Sequence, residues 1–175
     1  MTRSELARTI TQRSLLTGDF LLRSGKRSHE YFDKYLFESD PELLRAIAEA
    51  LAPLVPAGTE ALAGLELGGV PLAVMLGQVT GLPTLFVRKQ AKPYGTERLA
   101  EGGEVAGRRL LVVEDVITSG GQVVLSSNDL RQRGAVVEHA VCVIDRESGG
   151  PEALSAAGVT LSALFTMSQL KASLA

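Results

Sequence analysis

A chain of 175 residues, 45% hydrophobic and 22% charged, is sized for one domain with a substantial core, which hides roughly 70% of the unfolded surface. Its formal charge of −2 excludes a general electrostatic pull toward nucleic acid or an anionic membrane, so any basic site has to be local. The single Cys142 excludes an intramolecular disulfide, the start MTRSELARTITQ is too polar for a secretory signal, and no apolar run approaches the ~20 residues of a membrane span, so the expected compartment is the cytoplasm.

In chain order, Leu6, Ile10, Leu15 and Leu16 fall roughly on one face of a helix over 2–16. Residues 18–37, GDFLLRSGKRSHEYFDKYLF, read as a loop rich in basic and aromatic side chains. Ser39-Asp40-Pro41-Glu42 is a helix start, with a polar cap, Pro in the first turn and acids near the positive helix end. Leu43, Leu44, Ile47 and Leu51 trace its apolar stripe, which Pro53 and Pro56 stop. A repeating pattern follows: a strand at 61–67 (ALAGLEL), a break at Gly68-Gly69, a helix over 70–80, and a strand at 84–89 (TLFVRK). A glycine- and charge-rich loop spans 90–107. The strand at 108–115 (RRLLVVED) has a continuous apolar run, as expected for burial on both faces. A helix over 122–133, a strand at 136–146 (VVEHAVCVIDR), a short helix and a last strand near 159–164 complete the pattern. This alternation predicts an α/β fold with a central, mostly parallel sheet flanked by helices, and ligands beyond the carboxyl ends of its strands. The chain reads as a single domain over 1–175, with an N-terminal segment of about 1–40 and a core of about 41–175.

Residues 110–122, LLVVEDVITSGGQ, run from a buried strand through two acids and T-S-G-G into a helix. Free N–H groups and a positive dipole end suit a phosphate there; Thr118 and Ser119 add hydroxyls, and Gly120 and Gly121 allow close backbone approach. Glu114 and Asp115 would repel a phosphate at contact range and suit ribose hydroxyls, or a hydrated Mg²⁺. The plainer alternative is a βα turn with the acids as caps, against which two acids ending an apolar strand are costly without partners. The Lys of a Walker loop and the spacing of a dinucleotide fingerprint are both missing.

Residues 86–103, FVRKQAKPYGTERLAEGG, place Arg88, Lys89 and Lys92 just past a strand. Such a loop can close over a polyanion, exclude water and reopen. It can equally be a solvated loop whose charge Glu97, Glu101 and Glu104 balance. Arg146 follows another strand; its planar guanidinium suits a carboxylate, or else pairs with Asp145 on the surface. His29 and His139 lack metal-ligand spacing, and Cys142 reads as a small core hydrophobe.

VVEDVITSGGQ resembles the PRPP-binding signature of type I phosphoribosyltransferases. The resemblance implies that Glu114 and Asp115 hold the ribose hydroxyls, that Thr118, Ser119, Gly120, Gly121 and Gln122 cradle the 5′-phosphate, and that Val116 and Ile117 between them also bind PRPP. R-K-x-A-K-x-Y-G followed by E-G is similar to the flexible catalytic loop of the orotate phosphoribosyltransferase family. By that match Arg88, Lys89, Lys92 and Tyr94 contact PRPP; Lys92, Lys89 and Arg88, with Asp115, carry catalysis; and the loop of one subunit serves the other in a homodimer. Tyr94 stands where the family often has His, which removes a group titrating near neutrality. Residues 22–37 resemble the family's N-terminal substrate segment, or hood, with Arg23 toward PRPP and Tyr31 and Phe32 toward orotate; Thr118 and Arg146 complete the orotate set. GLELGGVP at 64–71 resembles the loop that packs on pyrophosphate, but Leu67-Gly68 replace a Tyr-Lys common there, leaving backbone N–H groups alone. The implied partners are PRPP and orotate. The implied cofactor is Mg²⁺, carried by PRPP with no direct protein ligand. Two rivals remain: a relative using adenine, uracil or xanthine, and a regulator that binds PRPP as a signal.

Overall fold

The computed structural model describes residues 1–22, 24–91 and 99–174. Helix α1 (Arg3–Ser14) begins with a capping box: Thr2 Oγ1 accepts from Glu5 N–H at 3.2 Å and Glu5 Oε2 accepts from Thr2 N–H at 2.7 Å. Leu6 and Ile10 are buried as the stripe predicts, but the helix ends at Ser14. Leu15 and Leu16 instead open strand β1 (Leu15–Leu21), which pairs antiparallel with β2 (Arg27–Phe32). The segment 18–37, expected to be a loop, is therefore a hairpin followed by a short helix α2 (Tyr35–Glu38). The hairpin is mostly exposed on both faces and has no period-two apolar pattern to reveal it. Local chemistry holds it: Gly25 turns at φ 80°, Asp19 accepts two hydrogen bonds from Arg27 at 2.8 and 2.6 Å, and the Phe20 and Tyr31 rings lie 5.5 Å apart.

Helix α3 (Pro41–Leu51) starts where its signal stands, with Asp40 Oδ1 accepting from Glu42 and Leu43 N–H at 3.2 and 3.1 Å. Then come β3 (Ala61–Leu65), α4 (Gly69–Thr80), β4 (Thr84–Val87), β5 (Ala100–Glu101), β6 (Arg109–Ile117), α5 (Gly121–Gln132), β7 (Val136–Asp145), α6 (Gly150–Ala156), β8 (Thr160–Thr166) and α7 (Met167–Ala172). The larger sheet has the order β5-β4-β3-β6-β7-β8, parallel throughout except for the two-residue β5 against β4. Neither β5 nor α7 was expected from the sequence. Each is short, and β5 is too short to carry a period.

The strands feed two apolar layers. Leu111, Val113, Val141 and Val143 pack with α1, α3, α4 and α7, whereas Leu110, Val112, Ala140 and Cys142 pack with α5 and α6. Burial on both faces accounts for the unbroken apolar runs. The chain leaves β3 through α4 to β4 on one side, while β6 lies on the other side of β3. The connections leaving β3 and β6 thus run in opposite directions along the sheet, which opens the crevice where doubly wound sheets bind ligands.

Arg131, on the last turn of α5, fastens the far end of this layer. Its guanidinium donates to the carbonyls of Val137, Ala157 and Gly158 at 3.0, 2.8 and 3.0 Å, joining α5, β7 and the turn before β8. Arg131→Ala should lower unfolding free energy by about 2–3 kcal/mol in urea titrations, and Arg131→Lys should recover only part of it. A loss within about 0.5 kcal/mol of zero would show that these bonds do not hold the layer.

Candidate active site

The crevice holds three groups of residues. The first is the turn from β6 into α5, where a cavity of about 170 Å³ is lined by Glu114 and residues 116–123. Gly120 adopts φ 78°, and a Cβ there would meet Leu154 Cδ1 at 2.5 Å and Gly150 O at 3.2 Å, so both conformation and packing require glycine. Gly121 meets only Ser119 Oγ, at 3.9 Å, which keeps the helix start open. With Thr118 and Ser119 exposed beside the N-terminus of a twelve-residue helix, the turn can take a phosphate through backbone N–H and hydroxyl donors.

The second group surrounds the acids. The sequence predicts that both face the ribose; the structure puts Glu114 on the cavity wall and encloses Asp115 completely, at 0% exposure. Asp115 Oδ2 instead meets Lys34 Nζ at 2.6 Å, and its carboxyl contacts that of Glu38, itself 7% exposed. A Cβ on Gly68 would overlap Asp115 Oδ2 and come within 2.7 Å of Glu38 Oε1. Gly68 therefore closes the lid on this cluster, and a side chain there has no room. Loop 66–68, whose Glu66–Leu67 peptide is cis, is tied in turn to β4, because the Glu66 carboxylate accepts from Lys89 N–H.

The charges in the cluster settle by burial and pairing. Burial pushes Glu114 well above the usual carboxylate range, and the neighbouring Asp115 adds to it. Burial likewise lifts Glu38 to about 9, helped by Asp115. For Asp115 burial works upward, but the groups bonded to it, Glu38, Glu114 and Lys34, outweigh it and hold it below its ordinary value. Lys34 loses from burial and gains more from Asp115, so its ammonium is held above the usual range. One charged pair, Lys34–Asp115, is thus flanked by two acids that burial pushes toward the protonated form. The contact between Glu38 and Asp115 is attractive only because Glu38 carries a proton to share.

The third group lies under the hairpin. A cavity of about 430 Å³ is lined by Tyr31 and Phe32 of β2, by Arg146 just past β7, and by Met167 and Lys171 of α7. The structure thereby brings Tyr31, Phe32 and Arg146 around one space. Thr118 lies in the phosphate turn and not on this wall. The two cavities adjoin: Arg146 N–H donates to Ile117 O at 2.9 Å. Asp145, offered as a surface partner for Arg146, is 7% exposed and accepts from Glu147 N–H at 2.9 Å. At the end of β4, Arg88 is half-buried with its Nε 3.7 Å from Glu101 Oε1, and Lys89 is exposed. Arg23, Lys92 and Tyr94 lie outside the described residues. His29 is exposed, and Cys142 is buried in the core with its thiol pushed up by burial. Among the described residues no group of three His, Cys, Asp or Glu could hold a metal, and no helix is long and apolar enough to cross a membrane.

Sequence reasoning missed Lys34, Glu38, Met167 and Lys171. Only Lys34 had a signal: two acids at a buried strand end demand a cation, and Lys34 follows the Tyr31-Phe32 pair by two residues.

The Glu38 shift sets a pH dependence. A carboxyl near 9 when folded and near 4.5 when unfolded stabilises the fold fully below about pH 4.5, and that contribution is lost as pH rises toward 9. Glu38→Gln, which imitates the protonated form, should flatten the fall in Tm between pH 5 and 9. An equally steep fall in the variant would mean that Glu38 is not the group responsible.

No family model matches the chain. Over 157 residues it is 52% identical to an orotate phosphoribosyltransferase of Nocardioides sp., covering 90% of this chain and 88% of that one. It is 44% identical to an orotate phosphoribosyltransferase of Methanocella arvoryzae over 153 residues, 87% of each chain. The crystal structure of Mycobacterium tuberculosis orotate phosphoribosyltransferase with inorganic phosphate superposes with a TM-score of 0.87 at 28% identity, covering 97% of this chain and 98% of that one. The corresponding complex with PRPP gives 0.84 at 27% identity, with 97% and 98% covered. The fold is that of type I phosphoribosyltransferases, and the chain belongs to the orotate phosphoribosyltransferase family.

Proposed function

We propose that the chain transfers the ribose 5-phosphate of PRPP to orotate, giving orotidine 5′-monophosphate and pyrophosphate in pyrimidine biosynthesis. One observation carries the assignment of residues: the phosphate turn and the hairpin cavity are joined through the Ile117–Arg146 hydrogen bond, so a sugar phosphate and a base fit side by side.

In this reading residues 116–122 hold the 5′-phosphate at the start of α5. Glu114 accepts from the ribose hydroxyls. Asp115, enclosed beside it, keeps the local negative charge and its link to Lys34. Tyr31 and Phe32 flank the base, and Arg146 meets the orotate carboxylate by parallel hydrogen bonds. Orotate N1 then attacks C1′ with inversion through a transition state of oxocarbenium character, as the bond from C1′ to the pyrophosphate oxygen breaks and the N1 proton passes to the departing pyrophosphate. The negative charge of orotate lies on its carboxylate, and positioning and charge stabilisation supply most of the barrier reduction. Arg88, Lys89 and Lys92 neutralise the departing pyrophosphate, with Arg23 and Tyr94 as further PRPP contacts. Loop 66–68 meets the pyrophosphate with backbone N–H groups, since Gly68 has no room for a side chain. The acid on the cavity wall offers only hard oxygen, which fits Mg²⁺ held mainly by PRPP and water. When bound, the ion supplies positive charge to the pyrophosphate. The working unit in this reading is a cytoplasmic homodimer whose loops 88–103 serve the neighbouring subunit.

Mixing the protein with PRPP, Mg²⁺ and orotate, with adenine, uracil and xanthine in parallel, should deplete the ultraviolet absorbance of orotate alone. Turnover with another base instead would remove the roles given to Arg146, Tyr31 and Phe32. Lys92→Ala should lower kcat by about 10²-fold and move the KM for PRPP far less. An unchanged kcat would take Lys92 out of the transition state. Mixed dimers of Lys92→Ala and Arg146→Ala chains should regain part of the lost activity if the loop acts across the interface, and none if it acts within its own chain.

A further inference from the structure

The hairpin cavity holds a second cation that the reading above leaves unused. Lys171, on α7, lines the same space as Arg146, and its Nζ lies 3.4 Å from Glu30 Oε2 on β2. The two side chains are 58% and 52% exposed. An exposed pair at this distance holds weakly and exchanges readily for a better partner. Arg146, by contrast, has no side-chain partner among the described residues.

The placement of α7 is built. Thr166 and Gln169 form a capping box at its start. Glu147, at φ 57°, accepts from Ser168 N–H at 2.8 Å and Ser168 Oγ at 2.6 Å. Those bonds hold the Glu147 carboxyl below its usual range, so the clamp stays charged at neutral pH. Glu147 is the residue after Arg146. The turn that presents Arg146 and the helix that presents Lys171 are therefore one assembly, and the Lys171–Glu30 pair reaches from it to the hairpin on the other side of the cavity.

We propose that Lys171 is a specificity-determining residue for the acceptor base: its ammonium is held on Glu30 until an anionic base enters, and then pairs with that base instead. Arg146 alone reads one carboxylate edge. A second, movable cation on the same clamped assembly makes the cavity select a planar anion over a neutral pyrimidine or purine. Without a base, Glu30 holds the Lys171 charge; with one, Glu30 is released to solvent at the rim. This rests on the reading of the substrate as an anionic base.

Steady-state kinetics on four proteins test it: the unmodified chain, Lys171→Met, Lys171→Arg and Glu30→Gln, each checked for an unchanged Tm. Lys171→Met keeps the apolar stem and should raise the KM for orotate about 5–10-fold, with the KM for PRPP and kcat within about twofold. Lys171→Arg should restore the orotate KM. Glu30→Gln should leave it equal or lower, because the cation is then already free. Unchanged orotate KM in Lys171→Met, with normal turnover by the unmodified chain, overturns this proposal alone. Equal rises in Lys171→Met and Glu30→Gln overturn it too, since they would mark the pair as a structural latch. Absence of orotate turnover by the unmodified chain overturns the proposal together with the substrate reading.

Discussion

Asp115 is a charged side chain in a place with no exposure, at the end of an apolar strand, and the arrangement of the crevice follows from supplying it with partners. An isolated carboxylate there would be forced to take up a proton. Lys34 prevents this at 2.6 Å, and it can arrive only because the chain after the hairpin turns inward as α2. Glu38, one turn further on the same short helix, adds a shared proton from the other side. Gly68 then has to be glycine, because the cluster occupies the volume of its side chain. One buried acid in this way fixes three separate segments: the exit of the hairpin, the loop after β3 and the end of β6. A buried ion pair of this kind is weak evidence for net stability, yet breaking it by removing one partner is severe. Its value here is registration: it sets where the hood sits over the sheet.

That registration decides what the two cavities can do together. The phosphate turn is carried by one local βα unit, with α6 packed against its Gly120. The hairpin cavity is not local: its walls come from β2, from the turn after β7 and from α7. It exists only if the hood is docked, and the buried Lys34–Asp115 pair ties the exit of the hood to the end of β6. The donor side of the reaction is therefore held by the sheet, and the acceptor side by contacts between distant segments.

The same division explains how much was legible in the residues. The alternating strands and helices, the cap at Asp40 and the T-S-G-G turn could all be read, because each is specified within about ten residues. The two-faced burial of β6 and β7 was legible from unbroken apolar runs. The hairpin was not, since β1 and β2 bury little and are held by a Gly25 turn and an Arg27–Asp19 pair that charge patterning alone does not distinguish from a loop. Helix α7 lacks length, and its role comes from the Glu147–Ser168 clamp, which joins residues 21 apart. Tyr31, Phe32 and Arg146 were found through motif resemblance, and the space they share required coordinates. Lys34 and Glu38 show the limit most clearly: the acids announced a need for partners, but no local rule names which of 18 basic residues answers.

A chain of net charge −2 can still present a cationic crevice, and the cluster shows how. Both substrates in the proposed reaction are anions, so acids lining the site should oppose binding. Burial weakens that opposition by pushing the Glu38 and Glu114 carboxyls upward, and Lys34 pairs with the charge of Asp115. The exposed or half-buried cations Arg88, Lys89, Arg146 and Lys171 are set around them with only long-distance side-chain pairing or none among the described residues. Attraction for anions therefore arises from where charge is neutralised as much as from where positive charge is placed. The two aspects are coupled, because a buried acid regains its negative charge only as new donors or cations reach it.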